Sequence, residues 1–298
     1  MKTRTSFTLL IPPERDAAPV QDILREHGFS RRLLIGLKKI PGSVRLDGEP
    51  VYLVVRARAG QMLCVDLPIL SPAENVVPAD LPLDIIYEDE DLFVLNKPAG
   101  MPVHPSQGHY DDTLCNALAF YLQQQGDRFS AHAVGRLDRD TSGLVLFARH
   151  ELSSCILSAA MRDRNIHREY RAICTGILPE SGTIDAPIAR AHDSTIERVI
   201  SETGDPAVTH FRRLDCTNDY SLAAVRLETG RTHQIRVHMK HIGHPLPGDF
   251  LYNPDYSVIG RQSLHSWQLS FPHPMTGTRL TFTAPIPADM CAILRKQA

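Results

Sequence analysis

Val134-Gly-Arg-Leu-Asp-Arg-Asp-Thr-Ser-Gly143 is a polar stretch that ends at an apolar run, Leu144-Val-Leu-Phe-Ala148. The apolar run is typical of a buried β-strand, and we expect the polar residues to form a loop that leads into it. Asp138 lies in this loop between Arg136 and Arg139. Nearby guanidinium groups favour the charged form of a carboxylate, and an ionised aspartate can act as a nucleophile without a base. The loop therefore predicts a reactive carboxylate, although an aspartate in this setting can also serve only to cap a turn.

Three other segments accompany this loop. They are Asn96-Lys-Pro-Ala-Gly100, Arg168-Glu-Tyr170 and Thr229-Gly-Arg-Thr-His-Gln-Ile-Arg236. Together the four segments resemble the RluA-type pseudouridine synthases. That family has an early Asn-Lys-Pro, an Arg-Leu-Asp-x-x-Thr-Ser-Gly loop, a Lys-x-Tyr and a later Gly-Arg-Thr-His-Gln-Ile-Arg, in this order. The resemblance runs from about Leu83 to Pro287, and four ordered motifs are far more specific than any one of them.

The resemblance implies that the protein isomerises uridine to pseudouridine within RNA. In this reaction the base is detached from C1′ at N1, rotated, and reattached at C5. The reaction needs no electron transfer, no net water and no high-energy donor. The chain contains no Gly-x-Gly-x-x-Gly, no Walker loop and no Cys-x-x-Cys. We therefore expect no cofactor and no bound metal.

The resemblance also implies roles for individual residues. Asp138 corresponds to the aspartate that acts at C1′, and Arg231 to an arginine that pairs with it through a planar fork that lysine cannot reproduce. Tyr170 corresponds to the active-site tyrosine. A phenol is a weak base at neutral pH, so we expect its ring to stack on the uracil rather than its hydroxyl to remove the C5 proton. We expect Asp140 to hold the loop through backbone hydrogen bonds.

Two positions depart from the family pattern. Gly135 stands where the family usually has histidine, which puts in doubt any role for a side chain there in extruding the target base. Arg168 stands where the family usually has lysine, and this change preserves the charge.

The first 60 residues are basic, with 11 Lys and Arg against 6 Asp and Glu, whereas the whole chain has a net charge of −2. Apolar spacing predicts helices over 20–27 and 31–40, the second capped by Ser30, and Asp47-Gly48 predicts a hairpin turn. The predicted buried stripe of the second helix is Leu33, Leu34, Leu37 and Ile40. Two helices and a hairpin resemble an S4-type RNA-binding module, which the family often carries here. Candidate phosphate contacts are Arg31, Arg32, Lys38 and Lys39 in this module, and Arg136 and Arg236 beyond it, although a solvated helix face would carry the same charges.

We therefore predict an α+β protein of two domains. A small N-terminal S4-like domain of two helices and a hairpin covers residues 1–70, and a catalytic domain covers 83–298. A proline-rich linker over 71–82 joins them. Many strand-like segments without regular βαβ alternation indicate a mostly antiparallel mixed sheet with flanking helices in the catalytic domain. Its helices are predicted over 113–124 and 153–164, and its strands within 85–96 and over 144–148, 169–175, 209–214, 221–228 and 280–284.

The composition is that of an ordinary globular protein, with 43% hydrophobic and 22% charged residues over 298 positions. We expect no membrane span and no secretory signal, since no apolar run is long enough. Six scattered cysteines favour reduced thiols, and hence a cytoplasmic protein. We expect a monomer whose partner is RNA, with ribosomal RNA favoured over transfer RNA because of the S4-like module.

Three alternatives compete with this interpretation. His233, His238, His241 and His244 suggest zinc, but the last three turn by about 300° around a helix and do not share a face. A non-catalytic RNA-binding protein of the same fold, assisting ribosome assembly, would explain the change at Gly135 but not the presence of Asp138, Tyr170 and Arg231. A glycosidase would need a second carboxylate as acid, and only Asp140 is near.

Overall fold

The structure is a computed structural model, which describes residues 2–67, 76–127 and 131–295. Residues 2–67 form an N-terminal unit with a hydrophobic core of its own. After a short 3-10 turn at Pro13–Arg15, its elements are β1 (Ser6–Leu10), α1 (Val20–Glu26), α2 (Arg31–Lys38), β2 (Val44–Leu46), β3 (Glu49–Pro50) and β4 (Met62–Asp66). The strands pair antiparallel in the order β1, β4, β2, β3, so the predicted hairpin, formed by β2 and β3, is part of a four-stranded sheet.

The helix cap and the hairpin turn that the sequence predicts in the N-terminal unit are confirmed. The Ser30 hydroxyl accepts a hydrogen bond from the Leu33 amide and begins α2. Asp47 and Gly48 have φ values of 49° and 88°, as a tight hairpin turn requires. The prediction for Ile40 is wrong: α2 ends at Lys38, and the Ile40 side chain is 43% exposed. The remaining stripe residues, Leu33, Leu34 and Leu37, are buried. The identity of the unit as an S4 module stays a prediction.

The large domain combines helices with a long run of strands. Its helices are α3 (Leu114–Gln124), α4 (Glu151–Arg162), α5 (Gln234–His241) and α6 (Ala288–Arg295). Its strands are β5 (Ile85–Glu88), β6 (Leu92–Lys97), β7 (His132–Ala133), β8 (Ser142–Ala148), β9 (His167–Thr175), β10 (Ser181–Asp185), β11 (Ile188–Arg190), β12 (Arg198–Ile200), β13 (Val208–Cys216), β14 (Tyr220–Leu227), β15 (Leu264–Pro272) and β16 (Arg279–Thr283).

Within the described ranges, ten of these strands form one sheet. The main order is β10, β13, β14, β9, β15, β8, β6, β5, with β16 beside β15 and β7 beside β8. β8 and β15 run parallel, and the other recorded pairs are antiparallel. The predicted α+β class with a mostly antiparallel mixed sheet is therefore confirmed. No helix in the described residues has the length and apolar character that a membrane span requires.

The parallel pair places the polar loop of residues 134–143 next to a strand from far along the chain. Gly143 pairs with Ser266, and a Cβ atom at Gly143 would lie 2.3 Å from the Ser266 carbonyl oxygen. Gly143 also has a φ of +109°, which L side chains rarely adopt. Glycine at this position therefore allows β15 to approach the end of the loop.

The N-terminal unit packs directly on the large domain. Arg4 donates from Nε and Nη2 to the two carboxylate oxygens of Asp91, at 2.6 and 3.1 Å. Asp91 is buried and also contacts Nε2 of His150 at 2.8 Å. Leu152 of α4 lies in the hydrophobic core of the N-terminal unit. Of the predicted linker, residues 71–75 lie outside the described part, and residues 76–82 form no helix or strand.

Candidate active site

The loop that carries Asp138 connects β7 to β8, and its backbone is held from both sides. The buried Lys97 ammonium donates to the carbonyl oxygens of Pro98, Met101 and Arg139, each at 2.7 Å. Burial lowers the pKa of Lys97 to about 7. On the other side, Arg261 donates to the carbonyl of Asp140 at 3.2 Å. The Asn-Lys-Pro segment thus serves to fix the loop.

Asp138 is held by Arg236. Nη1 of Arg236 donates to Oδ2 of Asp138 at 2.9 Å, while its Nε and Nη2 donate to both oxygens of Asp249 at 2.6 and 2.7 Å. Arg236 and Asp249 are 1% and 0% exposed, but Asp138 is 18% exposed. Burial works to lower the pKa of Arg236, but the hydrogen bonds and charges of Asp249 and Asp138 outweigh it and raise that pKa. Arg236 is therefore a fixed cation that orients a carboxylate which solvent can reach.

The predicted pairing of Asp138 with Arg231 is wrong. Arg231 lies in the turn before α5, where its Nε donates to the Pro206 carbonyl at 3.1 Å and its Nη1 lies 3.7 Å from Asp205. α5 carries Arg236 inward instead, because the helix begins at Gln234 and its first six residues are buried. For the same reason Arg236 is not available for the RNA phosphate contact that the sequence predicted for it.

The loop's own arginines are also arranged differently from the prediction. Arg139 pairs with its neighbour Asp140, through Nε to Oδ1 at 3.0 Å and Nη2 to Oδ2 at 3.1 Å. The Asp140 side chain thus holds a guanidinium and not backbone amides. No described arginine other than Arg236 lies within salt-bridge distance of Asp138.

Asp138 and Tyr170 line the same cavity, which has a volume of about 1430 Å³. We call it the active-site cavity. Tyr170 lies on β9 between Val225 of β14 and Ser266 of β15, and it is 4% exposed. Its hydroxyl forms no hydrogen bond with any described residue. The cavity therefore presents a carboxylate and a phenol ring that are free to meet a ligand.

The walls of the active-site cavity are basic. In the described part of the chain, seven arginines and three acidic residues line it. The arginines are Arg136, Arg162, Arg164, Arg168, Arg226, Arg231 and Arg279. The sequence singled out Arg136, Arg168 and Arg231 among these, and it gave no signal for the other four, which come from three separate segments. In the N-terminal unit, the predicted cations Arg31, Arg32, Lys38 and Lys39 are all exposed.

The histidines near the site have protein partners. His238 is buried between the Thr209 hydroxyl and the Ala186 carbonyl, at 2.8 and 2.9 Å. His233 lies 3.0 Å from the Tyr252 hydroxyl, and burial lowers the pKa of His233 to about 4. His244 contacts the Thr175 carbonyl at 2.9 Å. His233, His238 and His244 therefore each contact a protein group.

A carboxylate held by a buried arginine and an aromatic ring thus share an arginine-lined cavity, and arginines are suited to bind phosphate groups. The model of the RNA pseudouridylate synthase family matches residues 91–241. "Uncharacterized RNA pseudouridine synthase YjbO" of Bacillus subtilis is 42% identical over 93% of this chain and 98% of that protein. "Ribosomal large subunit pseudouridine synthase D" of Vibrio vulnificus is 39% identical over 87% of this chain and 85% of that protein. The chain belongs to the RNA pseudouridylate synthase family.

The solved human protein RNA Pseudouridylate Synthase Domain Containing 1 has a similar fold, with a TM-score of 0.59 and 24% identity. The match covers 70% of this chain and 84% of that one. The family membership establishes the reaction: the protein is an RNA pseudouridine synthase, which isomerises uridine in RNA.

Proposed function

We propose that this enzyme modifies uridines of large-subunit ribosomal RNA, with Asp138 as the nucleophile. The observation that carries the catalytic part is the contact between Asp138 and Arg236. It fixes one carboxylate oxygen, Oδ2, by a charged hydrogen bond, whereas Oδ1 forms no hydrogen bond with any described residue. Asp138 lines the cavity that Tyr170 also lines. A carboxylate oxygen that is held in place and has no hydrogen-bond partner can attack a sugar carbon.

The proposed reaction has two substitutions at C1′. In the first, Oδ1 of Asp138 forms a bond to C1′ while the bond from C1′ to N1 breaks, and the electron pair leaves with the uracil. The uracil turns against the ring of Tyr170. In the second, C5 forms a bond to C1′ and releases the carboxylate of Asp138. The proton lost from C5 is balanced by the proton gained at N1, so no oxidant or cofactor enters.

The basic surfaces support a large, folded RNA as substrate. A uridine inside a folded RNA must be flipped out before it can react, at a cost of a few kcal/mol. Contacts between arginines and phosphates can offset that cost. The cavity walls and the exposed cations of α2 in the N-terminal unit supply such groups, and we propose that the N-terminal unit acts as an S4-like RNA-binding module.

Two relatives support ribosomal RNA over transfer RNA. The Vibrio vulnificus protein and a Zymomonas mobilis protein, 43% identical over 76% of this chain, are both named for the large ribosomal subunit. Because the Vibrio match covers 87% of this chain, it includes at least part of the N-terminal unit.

The test is a pseudouridine map of total RNA from cells that lack the gene. We expect specific sites in large-subunit ribosomal RNA to be unmodified, and to regain pseudouridine when the wild-type gene is restored. The matched control is restoration with Asp138→Asn, which should not rescue them. Loss of sites in transfer RNA alone would contradict the ribosomal assignment, and an unchanged map would contradict the proposed function.

A further inference from the structure

Arg168 occupies an unusual place in the active-site cavity. It precedes Tyr170 by two residues on β9, and alternate residues of a strand point to the same face. Both side chains line the cavity. Tyr170 is buried, whereas Arg168 is half-buried. The guanidinium therefore lies on the same wall as the aromatic ring, and nearer to solvent.

Gly135 makes room for this guanidinium. A Cβ atom at Gly135 would lie 3.1 Å from Nη1 of Arg168, which is tighter than an ordinary contact, whereas one at Gly230 would lie 3.8 Å from Nη2, at ordinary van der Waals distance. Gly135 has a φ of +93°, which L side chains rarely adopt. Nη2 also donates to Sδ of Met161 at 3.1 Å. The side chain is thus seated between the Asp138 loop, the turn before α5, and the end of α4.

The charge of Arg168 is not compensated by the protein. In the described ranges no carboxylate lies within 4 Å of it, and its recorded hydrogen bond goes to a thioether, which is a weak acceptor. Among the other cavity arginines, Arg226 contacts Glu169 at 2.6 Å and Arg164 contacts Glu228 at 3.2 Å. Arg136, Arg162 and Arg279 also lack a described carboxylate partner, but they are exposed, whereas Arg168 is half-buried. A half-buried arginine with most of its donors unused is suited to an anionic ligand.

We propose that Arg168 binds a backbone phosphate of the flipped uridine, and that Gly135 is required to seat it. This assignment rests on the proposed function, because it places the target nucleotide between Asp138 and Tyr170. The phosphates of a nucleotide flank its sugar, so a cation on the Tyr170 wall is within reach of one of them. The planar fork can contact two phosphate oxygens, which a lysine cannot match.

The test measures RNA binding in the Asp138→Asn protein, which removes turnover. The probe is an unmodified transcript of the ribosomal RNA segment that carries the mapped uridine, titrated at several KCl concentrations. Arg168→Gln should weaken binding at least tenfold at low salt. It should also reduce the slope of log affinity against log salt by about 0.7 to 0.9, the amount for one phosphate contact. Arg168→Lys should restore the slope and only part of the affinity.

The matched control is Arg295→Gln, which removes an exposed cation at the end of α6, away from the cavity. It should change neither affinity nor slope. In the active enzyme, Arg168→Gln should raise KM while kcat stays within about threefold, as expected for a contact present in both ground and transition states. Wild-type affinity and slope in Arg168→Gln would overturn the assignment. If the Asp138→Asn parent itself binds no RNA, that result contradicts the proposed function as well as the assignment of Arg168.

Gly135→Ala tests whether the glycine is needed to position the Arg168 guanidinium. Its methyl group would displace the guanidinium, so it should weaken binding when residue 168 is arginine and have little effect when it is glutamine. Such non-additivity is the mark of two residues that act through one contact. Equal losses in both backgrounds would mean that Gly135 acts through loop strain, and would contradict its role in seating Arg168. Thermal melting of each variant confirms that binding is compared between folded proteins.

Discussion

Asp138 and Arg236 are 98 residues apart in the chain, yet Nη1 of the arginine lies 2.9 Å from Oδ2 of the aspartate. Asp249 fixes the other two donors of the same guanidinium. The three charged side chains are linked by hydrogen bonds. Asp249 and Arg236 are buried, and Asp138 lines the active-site cavity. The orientation of the reactive carboxylate is therefore set by α5 and the segment that follows it.

The first prediction compares two arginines of one motif. Arg236→Lys should lower kcat/KM at least a hundredfold, because a single ammonium cannot contact Asp249 through two donors and Asp138 through a third. Arg231→Lys, which alters an exposed side chain in the turn before α5, should stay within about threefold of wild type. Single-turnover assays well below each melting temperature make the comparison. Equal losses in the two variants would contradict the pairing seen in the structure.

Tyr170 allows its ring and its hydroxyl to be tested separately. Tyr170→Phe keeps the stacking surface, so RNA affinity should stay within about threefold. Its kcat should fall by tenfold or more if the hydroxyl, which has no hydrogen-bond partner among the described residues, donates to a uracil carbonyl while the base turns. Tyr170→Leu should lose affinity as well, since base stacking contributes about 1–3 kcal/mol. Full activity in Tyr170→Phe would show that the hydroxyl takes no part.

Asp91 of the large domain contacts Arg4 of the N-terminal unit, and the contribution of this contact to stability depends on pH. Burial works to raise the pKa of Asp91, but the hydrogen bonds from His150 and Arg4 outweigh it and lower that pKa. A lowered carboxyl pKa stabilises the fold above the unfolded value, near 4, and this contribution is lost as the pH falls through the folded value. Asp91→Asn should therefore destabilise the protein at pH 7, on the order of 3 kcal/mol.

The difference in unfolding free energy between wild type and Asp91→Asn should shrink as the pH falls below about 4. Urea unfolding at a series of pH values measures it. Asp80→Asn, an exposed carboxyl without a recorded partner, is the control and should show no such difference. A difference in unfolding free energy that stays constant down to pH 3 would mean that Asp91 does not act through its charge.

The basic face of α2 can be tested by charge reversal. Arg32→Glu with Lys39→Glu should weaken RNA binding and flatten its salt dependence, because both side chains are exposed and can reach phosphates. Reversal of Arg212 and Arg295, two exposed cations outside the N-terminal unit and the cavity, is the control with the same charge change. Circular dichroism checks the fold. Unchanged affinity in the α2 variant would assign the N-terminal unit another role.

Sequence patterns predicted the local features of the fold well. The Ser30 cap, the Asp47-Gly48 turn and the helix after Thr113 depend on neighbouring residues, and each is present. β15 was missed because it contains His265 and Ser266, which are buried but polar and interrupt the apolar pattern. β10, β11, β12, α5 and α6 were also not predicted. Their stability depends on the sheet around them more than on their own pattern.

The site was predicted in part. The motifs identified Asp138 and Tyr170, which share a cavity. The partner of Asp138 was assigned to the wrong arginine, because motif spacing does not show where a helix begins. One signal was present: Arg236 lies between Ile235 and Val237, and an arginine within an apolar run often has a buried acidic partner. Most of the cavity arginines could not be predicted, because they come from separate segments that only the folded sheet brings together.

The central claim is that the carboxylate of Asp138 acts at C1′. The most direct measurement is the single-turnover rate of pseudouridine formation by Asp138→Asn, on the RNA segment identified by the modification map. We expect a rate at least a thousandfold below wild type, with RNA affinity and melting temperature close to wild type. A folded Asp138→Asn enzyme that forms pseudouridine at the wild-type rate would contradict the account.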